Sequence, residues 1–594
     1  MEEQKKVKGG EFLVGPVDPA SVFTPEDFTE EHRMIAKTTY DFCVGEVQPR
    51  DAEIEAQNFD VTVGLLKKAG ELGLLGADVP EEYGGLGLDK ISSTLITEYV
   101  TYGGAFALSH GAHVGIGTLP IVYFGNKAQK EKYLPKLASG EWLSAYALTE
   151  PTSGSDALGA KTTAVLNAEG THYILNGTKQ FITNAGFADL FIVYAKVDGE
   201  KFTAFIVERG FPGVSTGPEE KKMGIKGSST RQLILEDVPV PVENVLGQIG
   251  KGHLIAFNIL NIGRYKLAAG CVGSSKIALA MSAKYAKERS QFGKPIAEFP
   301  LIQNKLATMA VRTFAAESVI YRTVGLFDRQ LQDFDLTQDE VGMQAAAAIG
   351  EYALECSINK VFGSEVLDAV ADENVQIHGG YGFIAEYGAE RIYRDSRINR
   401  IFEGTNEINR MLIPGMLMRK VMKGELPLLQ KAQQLQGELM SGSVAGVEDG
   451  GFLGVERGLT EQAKKIFLLA AGTAVQKYQA KLEQEQEVLA GLADLVIDIF
   501  AMESAVLRAV KFAQSHGEEK AGLMADMARC QVYEGFDHLE TTARSVLAAV
   551  EEGQTLAMML AGLRKLARRT PVNIAALKRR IAARILDAGK YVVQ

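Results

Sequence analysis

Residues 400–410, RIFEGTNEINR, carry the clearest arrangement for proton chemistry in this chain. Ile401 and Phe402 precede Glu403, and Gly404 follows it. A carboxylate held against Phe402 and shielded from water resists ionisation, so the expected pKa of Glu403 rises towards the range of a general base. Gly404 lets a second backbone come close and presents an N–H with no side chain in the way. That pairing suits removal of a weakly acidic C–H proton beside a carbonyl. Taken alone, the segment reads more simply as a surface glutamate at a loop–helix junction with Thr405 as N-cap.

Four other motifs accompany it in fixed order: Leu148-Thr149-Glu150-Pro151 running to Gly154-Ser155-Asp156, FITNAG at 181–186, RSQFGKPI at 289–296 and QIHGGYGF at 376–383. With RIFEG they closely resemble the acyl-CoA dehydrogenase family over residues 25 to 425. Five ordered motifs leave little room for chance agreement.

The elements that must position these residues follow from periodicity. Residues 1–23 have few helix signals and read as an arm. From Thr24-Pro25-Glu26 and Thr29-Glu30-Glu31, capping residues precede apolar periodicity, so 24–145 is expected to be an N-terminal α-helical domain. Near residue 160 the period changes to alternation, and 146–253 reads as a β-domain with hairpin turns predicted at Asn176-Gly177 and Asp198-Gly199. Helix returns over 254–425. Residues 426–594, with no proline between Pro427 and Pro571, read as an additional α-helical domain. The fold class is thus mainly α with a central β-domain. The resemblance implies an N-terminal α-domain, a middle β-barrel-like domain, a C-terminal four-helix bundle and, as in the very-long-chain branch, an extra all-α domain.

Composition narrows the function. At 594 residues, 46% hydrophobic and 23% charged, the chain is globular and long enough for several domains. A net charge of −11 argues against a nucleic-acid protein. Cys43, Cys271, Cys356 and Cys530 lie far apart, which reads as reduced thiols in a cytosol-like compartment. His110 and His113 form the only close histidine pair, and without an accompanying acid or cysteine they read as structural; no metal is expected. No apolar run approaches a membrane span, and the start MEEQKKVKGG lacks the pattern of a signal peptide or presequence. The expected location is cytoplasmic.

The resemblance implies a reaction: FAD-dependent α,β-dehydrogenation of a long-chain fatty acyl-CoA to a trans-2-enoyl-CoA, the first step of β-oxidation in bacteria. Glu403 would take the α-proton while hydride leaves to flavin N5, since no side chain accepts hydride. The thioester carbonyl would be polarised by the Glu403 N–H and a ribityl hydroxyl. Two branches of the family place the base one residue before the arginine equivalent to Arg264; that position here is Gly263, which strengthens Glu403. Phe402 would keep an aromatic wall beside the substrate, next to Gly404.

The same resemblance distributes the flavin site. Leu148 and Thr149, with Gly154 and Ser155, would meet the flavin ring edge. Phe181 would cover a ring face and Thr183 would lie near N5. Arg289, Gln291 and Phe292 would reach the FAD of a neighbouring subunit, with Arg289 on the pyrophosphate. Gln376, Gly379 and Gly380 would form a loop at its adenylate end. Thr405 and Glu407 would touch FAD after the base. Asn261 and Arg264, three apart on one helix face, would contact CoA, and Ser155 would face the thioester. By residue type alone, these positions also read as a strand end with a turn, a buried strand phenylalanine, a helix-terminal arginine and an interhelical polar pair. Gly380, Gly382 and Ala385 fit GxGxxA, but no strand is expected before them, so a Rossmann site is rejected. Small residues Gly111, Ala112, Gly115 and Gly117 favour a deep acyl channel, or else close helix packing.

Electron-transferring flavoprotein is the expected acceptor. An acyl-CoA oxidase and a non-catalytic scaffold member of the family are the alternatives. A homodimer is expected, with a peripheral membrane contact open to the additional domain.

Overall fold

The computed structural model describes residues 6–338, 341–441 and 450–593; Glu2 and Glu3 of the expected arm lie outside them. Contacts group the chain into two compact units, residues 28–273 with 327–350, and residues up to 27 with 274–326 and 351 onward.

In the first unit, Thr29 caps the helix Glu30–Phe42 through a reciprocal capping box with His32. This helix packs with Phe59–Glu71 and Lys90–Tyr99 around a core that includes Phe42, Leu65, Leu66 and Phe106. Ala112–Gly117 is a π-helical turn. Beneath it the ammonium groups of Lys90 and Lys266 both bind Asp78. Burial opposes ionisation of Asp78, yet the two cations hold its carboxyl well below the usual range.

The β-domain of this unit has eight strands: β1 (Ser144–Ala147), β2 (Thr163–Leu166), β3 (His172–Thr183), β4 (Leu190–Val197), β5 (Lys201–Glu208), β6 (Val214–Thr216), β7 (Thr230–Pro241) and β8 (Val245–Leu246). Their order is β6-β7-β3-β2-β4-β5-β8, with β1 parallel to β4. Phe191, Val193, Phe205, Leu233 and Val240 build the core on one face. Asp198 (φ 54°) and Gly199 (φ 78°) are the central residues of the turn between β4 and β5, closed by Glu200 N donating to Val197 O, as their dipeptide predicts.

Asn176-Gly177 does not. β3 runs straight through it, and the pairing with β7 shifts register between Leu175 and Gly177. Asn176 exchanges hydrogen bonds with Asp237 across the two strands, and a Cβ on Gly177 would lie 2.4 Å from Thr162 Oγ1. The dipeptide here serves a bulge and a close approach rather than a turn.

In the second unit, the helices Ala353–His378 and Asn406–Met422 pack with those of the additional domain, Gly454–Tyr478, Gln486–His516 and Gly522–Val550 among them. The expected arm is docked, not free. Gly9 and Gly10 donate backbone N–H groups to Glu351 and Glu355 at 2.9 and 2.8 Å, and the Phe12 ring lies 4.7 Å from that of Phe500. Arg508, 1% exposed, binds both Glu26 and Glu317, and Tyr591 donates to Glu317 at 2.8 Å. Glu26, just past the arm, and Tyr591 thereby meet around the same buried arginine. Among the described residues, no helix is long and apolar enough to cross a membrane.

Candidate active site

Glu403 sits in a sharp turn between the short helical turn Arg397–Arg400 and the helix Asn406–Met422. Its φ is 57° and that of Gly404 is 79°. A left-handed backbone is natural for Gly404 but costs energy at a glutamate, and such strain persists only where surrounding structure holds it. Here several bonds do so. The Thr405 side chain accepts from Ile408 N at 3.1 Å as the expected N-cap. Asn409, fully buried, donates from Nδ2 to Gly404 O at 2.9 Å and Thr405 O at 3.0 Å. Asn406 Oδ1 accepts from Lys360 Nζ at 2.6 Å, and its Nδ2 donates to Glu365 at 3.1 Å. Phe402, Glu403 and Gly404 are half-buried, while Glu407 is exposed.

In the same unit, Arg289 follows the long helix ending at Glu288 and opens a hairpin. Gln291 is on its first strand, and Phe292 (φ 53°) with Gly293 (φ 78°) forms its turn. Gln376 is not in a loop as expected: it lies in the last turn of the helix Ala353–His378. Gly379 ends that helix at φ 60°, ψ −137°, a conformation open essentially to glycine alone. A Cβ on Gly379 or Gly380 would meet no atom within 4 Å. The Arg289 guanidinium stands 5.4 Å from the Tyr381 ring centre, so the hairpin and the glycine segment come together. The GxGxxA glycines follow a helix rather than a strand, in agreement with rejecting a Rossmann site.

In the other unit, Leu148 and Thr149 continue directly from β1 and are bonded to β3: Gln180 N donates to Thr149 O at 2.8 Å, and Lys179 Nζ to Leu148 O at 3.3 Å. Phe181, next along, is 61% exposed at φ 58°, in the register shift between Lys179 and Ile182. Bulges re-aim side chains, and this one turns a large ring out of the sheet. Thr183 ends β3, half-buried. Gly154 and Ser155 are exposed beyond a tight turn closed by paired backbone bonds between Glu150 and Ser153. Asn261 and Arg264 are both buried and bonded to each other, Arg264 Nη1 donating to Asn261 Oδ1 at 3.0 Å. The polar pair is within one helix, not between two.

Nothing in the sequence alone assigns a role to Glu150 or Lys179. They form a buried pair at 2.7 Å at the end of β1, and Glu150 also accepts from Thr162 and the Lys161 N–H. Burial pulls the Lys179 ammonium down to about 8 against the stabilising carboxylate of Glu150. Asn409 and Lys360 likewise have no assigned role, and Asn406 is expected only within the Thr405 to Glu407 contact with FAD. The repeated asparagines of NEIN, three apart at the start of a helix, were the available signal. His110 and His113 are structural, each bonded through Nε2 to a backbone carbonyl, of Leu74 and Leu137 respectively; burial lowers them to about 3 and about 4.

One unit thus carries a helical core and the eight-stranded sheet, and the other carries the strained glutamate turn, the hairpin of Arg289 and the open glycines. Residues 29–141 match the acyl-CoA dehydrogenase N-terminal domain, 145–238 the middle domain, and both 250–417 and 462–565 acyl-CoA dehydrogenase C-terminal domains. The chain belongs to the acyl-CoA dehydrogenase family, whose cofactor is FAD. It is 61% identical over 587 residues to a probable acyl-CoA dehydrogenase of Bacillus subtilis (strain 168), covering 99% of this chain and 98% of that protein. It is 39% identical over 511 residues to the mitochondrial very long-chain specific acyl-CoA dehydrogenase of Macaca fascicularis, covering 80% of this chain and 75% of that one. The crystal structure of an acyl-CoA dehydrogenase complexed with FAD from Bacillus anthracis superimposes with a TM-score of 0.97 at 62% identity, covering 99% of this chain and 100% of that one.

Proposed function

We propose that this enzyme removes the α-proton of a long-chain acyl-CoA with Glu403, in an FAD-dependent α,β-dehydrogenation that yields the trans-2-enoyl-CoA. The observation carrying this reading is the held, left-handed turn at Glu403–Gly404, which fixes a half-buried carboxylate beside an unhindered N–H. When bound, FAD supplies the hydride acceptor that no side chain provides. FAD fits the residues present. The outward ring of Phe181 and the ends of β1 and β3 at Leu148, Thr149 and Thr183 offer a surface for a flat ring. Arg289, exposed beside the open Gly379 and Gly380, suits the phosphates and adenylate of an FAD in a second copy.

A second copy would also cover exposed apolar side chains. Phe292 is 93% exposed, Phe383 84% and Leu301 78%, large apolar side chains that association with a second copy would remove from water. The proposed assembly is a homodimer. Asn261 and Arg264 hold CoA, and Ser155 faces the thioester.

The preference for long chains rests on Gly111 and Gly115. A Cβ on Gly111 would meet nothing within 4 Å, and one on Gly115 only the Lys266 stem at 4.0 Å. Each methylene buried in such space contributes about 0.8 kcal/mol. Electrons then pass to electron-transferring flavoprotein, and the enzyme works in the cytoplasm within β-oxidation. The additional domain exposes Met440 and Met558, which favours a peripheral membrane contact as a second property. The test is anaerobic: palmitoyl-CoA should bleach the flavin band quickly and butyryl-CoA slowly. Equal rates would end the long-chain reading.

A further inference from the structure

The domain beyond residue 425 has no role in the chemistry above, yet it supplies a carboxylate to the element that carries the base. Arg410 lies in the helix Asn406–Met422, seven residues after Glu403. Its guanidinium is shared. Nη1 and Nη2 donate to the two oxygens of Glu365 at 2.7 and 3.1 Å, and Nε donates to Asp494 Oδ1 at 2.7 Å. Glu365 belongs to the helix Ala353–His378, and Asp494 to Gln486–His516 of the additional domain. Asp498, one turn further along that helix, is bonded to His538 Nδ1 at 2.7 Å, so Asp494 and Asp498 have separate basic partners.

The connection to the base is short. Glu365 Oε1 also accepts from Asn406 Nδ2 at 3.1 Å, and the buried Asn409, adjacent to Arg410, holds the carbonyl of Gly404. The first turn of the helix is therefore clamped by a three-donor arginine fork bridging two other helices. Arginine can bridge two carboxylates at once because its donors form a planar, rigid fork. The left-handed backbone at Glu403 needs such outside support.

We propose that Asp494, acting through Arg410, is a positioning residue for Glu403, so that the additional domain takes part in α-proton abstraction. This rests on the reading of Glu403 as the base.

The test uses the full-length holoenzyme and single-turnover anaerobic reduction by palmitoyl-CoA, with α-dideuterated palmitoyl-CoA in parallel. Asp494→Asn should slow flavin reduction about tenfold or more, the scale expected for a misplaced catalytic group. Half-saturation should stay within about twofold, because ground-state binding is untouched. FAD content and melting temperature should match the parent enzyme, and the deuterium effect should grow as proton abstraction becomes limiting. Asp494→Glu should recover part of the rate. Reduction by Asp494→Asn at the parent rate, or a loss that only follows FAD content, overturns the proposal. If Asp494→Asn fails to fold, Arg410→Lys, which keeps the charge and loses the fork, must show the same slowing; a parent-like rate overturns the proposal equally. Glu403→Gln separates the two readings. If it still reduces the flavin, the base lies elsewhere and both fall. If it is inactive while Asp494→Asn is normal, only the role of Asp494 falls.

Discussion

Asn409 Nδ2 donates to the carbonyl oxygen of Gly404 at 2.9 Å, reaching back across the first helical turn to the peptide beside Glu403. Its other side-chain atom, Oδ1, is buried with no hydrogen-bond partner among the described residues. Burying an amide half-satisfied is unfavourable, so its retained bonds to Gly404 and Thr405 must secure something of value. Asn409→Ala should lower kcat about 10- to 100-fold with little change in KM, since it releases the turn and not the substrate. Steady-state kinetics decide this, and a rise in KM alone would show that the turn serves binding.

A different pair stands beside the proposed flavin surface. Lys179 and Glu150 are both buried and lock the end of β1 to β3 next to Phe181. Lys179→Met should destabilise the protein by about 3 kcal/mol, because Glu150 is left buried without its cation. Flavin absorbance per protein should fall with it. A variant that melts normally and keeps its flavin would remove this pair from the cofactor site.

The arm has its own titratable latch. Glu355 accepts from the Gly10 N–H, and burial raises its carboxyl to about 7 from an ordinary value of 4.5. The folded state thus holds this proton more tightly than the unfolded chain. Its stabilising contribution is full below the ordinary carboxylate range and is lost as pH rises through about 7. Glu355→Gln keeps the acceptor without the charge, so above that pH it should be more stable than the parent by about 3 kcal/mol. Melting curves across pH check this; parallel curves for the two proteins would contradict it.

The hairpin turn at Phe292 offers a test of assembly. If the proposed homodimer buries this ring, Phe292→Ser should be monomeric in light scattering where the parent is dimeric, and its FAD content should be lower. A dimer with full flavin would show that this exposed ring lies outside the interface.

Much of this was legible in the sequence because it is local. Asp198-Gly199 needs two left-handed residues in a row, and Thr405 sits directly before a helical run, so composition and position agree. Asn176-Gly177 has the same local signature as a hairpin turn, but cross-strand bonds to Asp237 keep it inside β3. Gln376 sits before two glycines, which suggests a loop, yet the helix persists to His378 and only Gly379 ends it. The supports of the base were illegible for another reason. Asn406 meets Glu365 41 residues away, and Arg410 meets Asp494 84 residues away, so packing alone creates these partnerships. Motifs mark the proposed base; tertiary contacts determine what holds it.

The proposed mechanism depends first on Glu403 being the base. The most direct measurement is anaerobic reduction of the flavin by palmitoyl-CoA in Glu403→Gln beside the parent enzyme. The variant should keep FAD, still bind the acyl-CoA and reduce the flavin about 1,000-fold more slowly or not at all, within the range for loss of a general base. Reduction at the parent rate would contradict it and place the base on another residue.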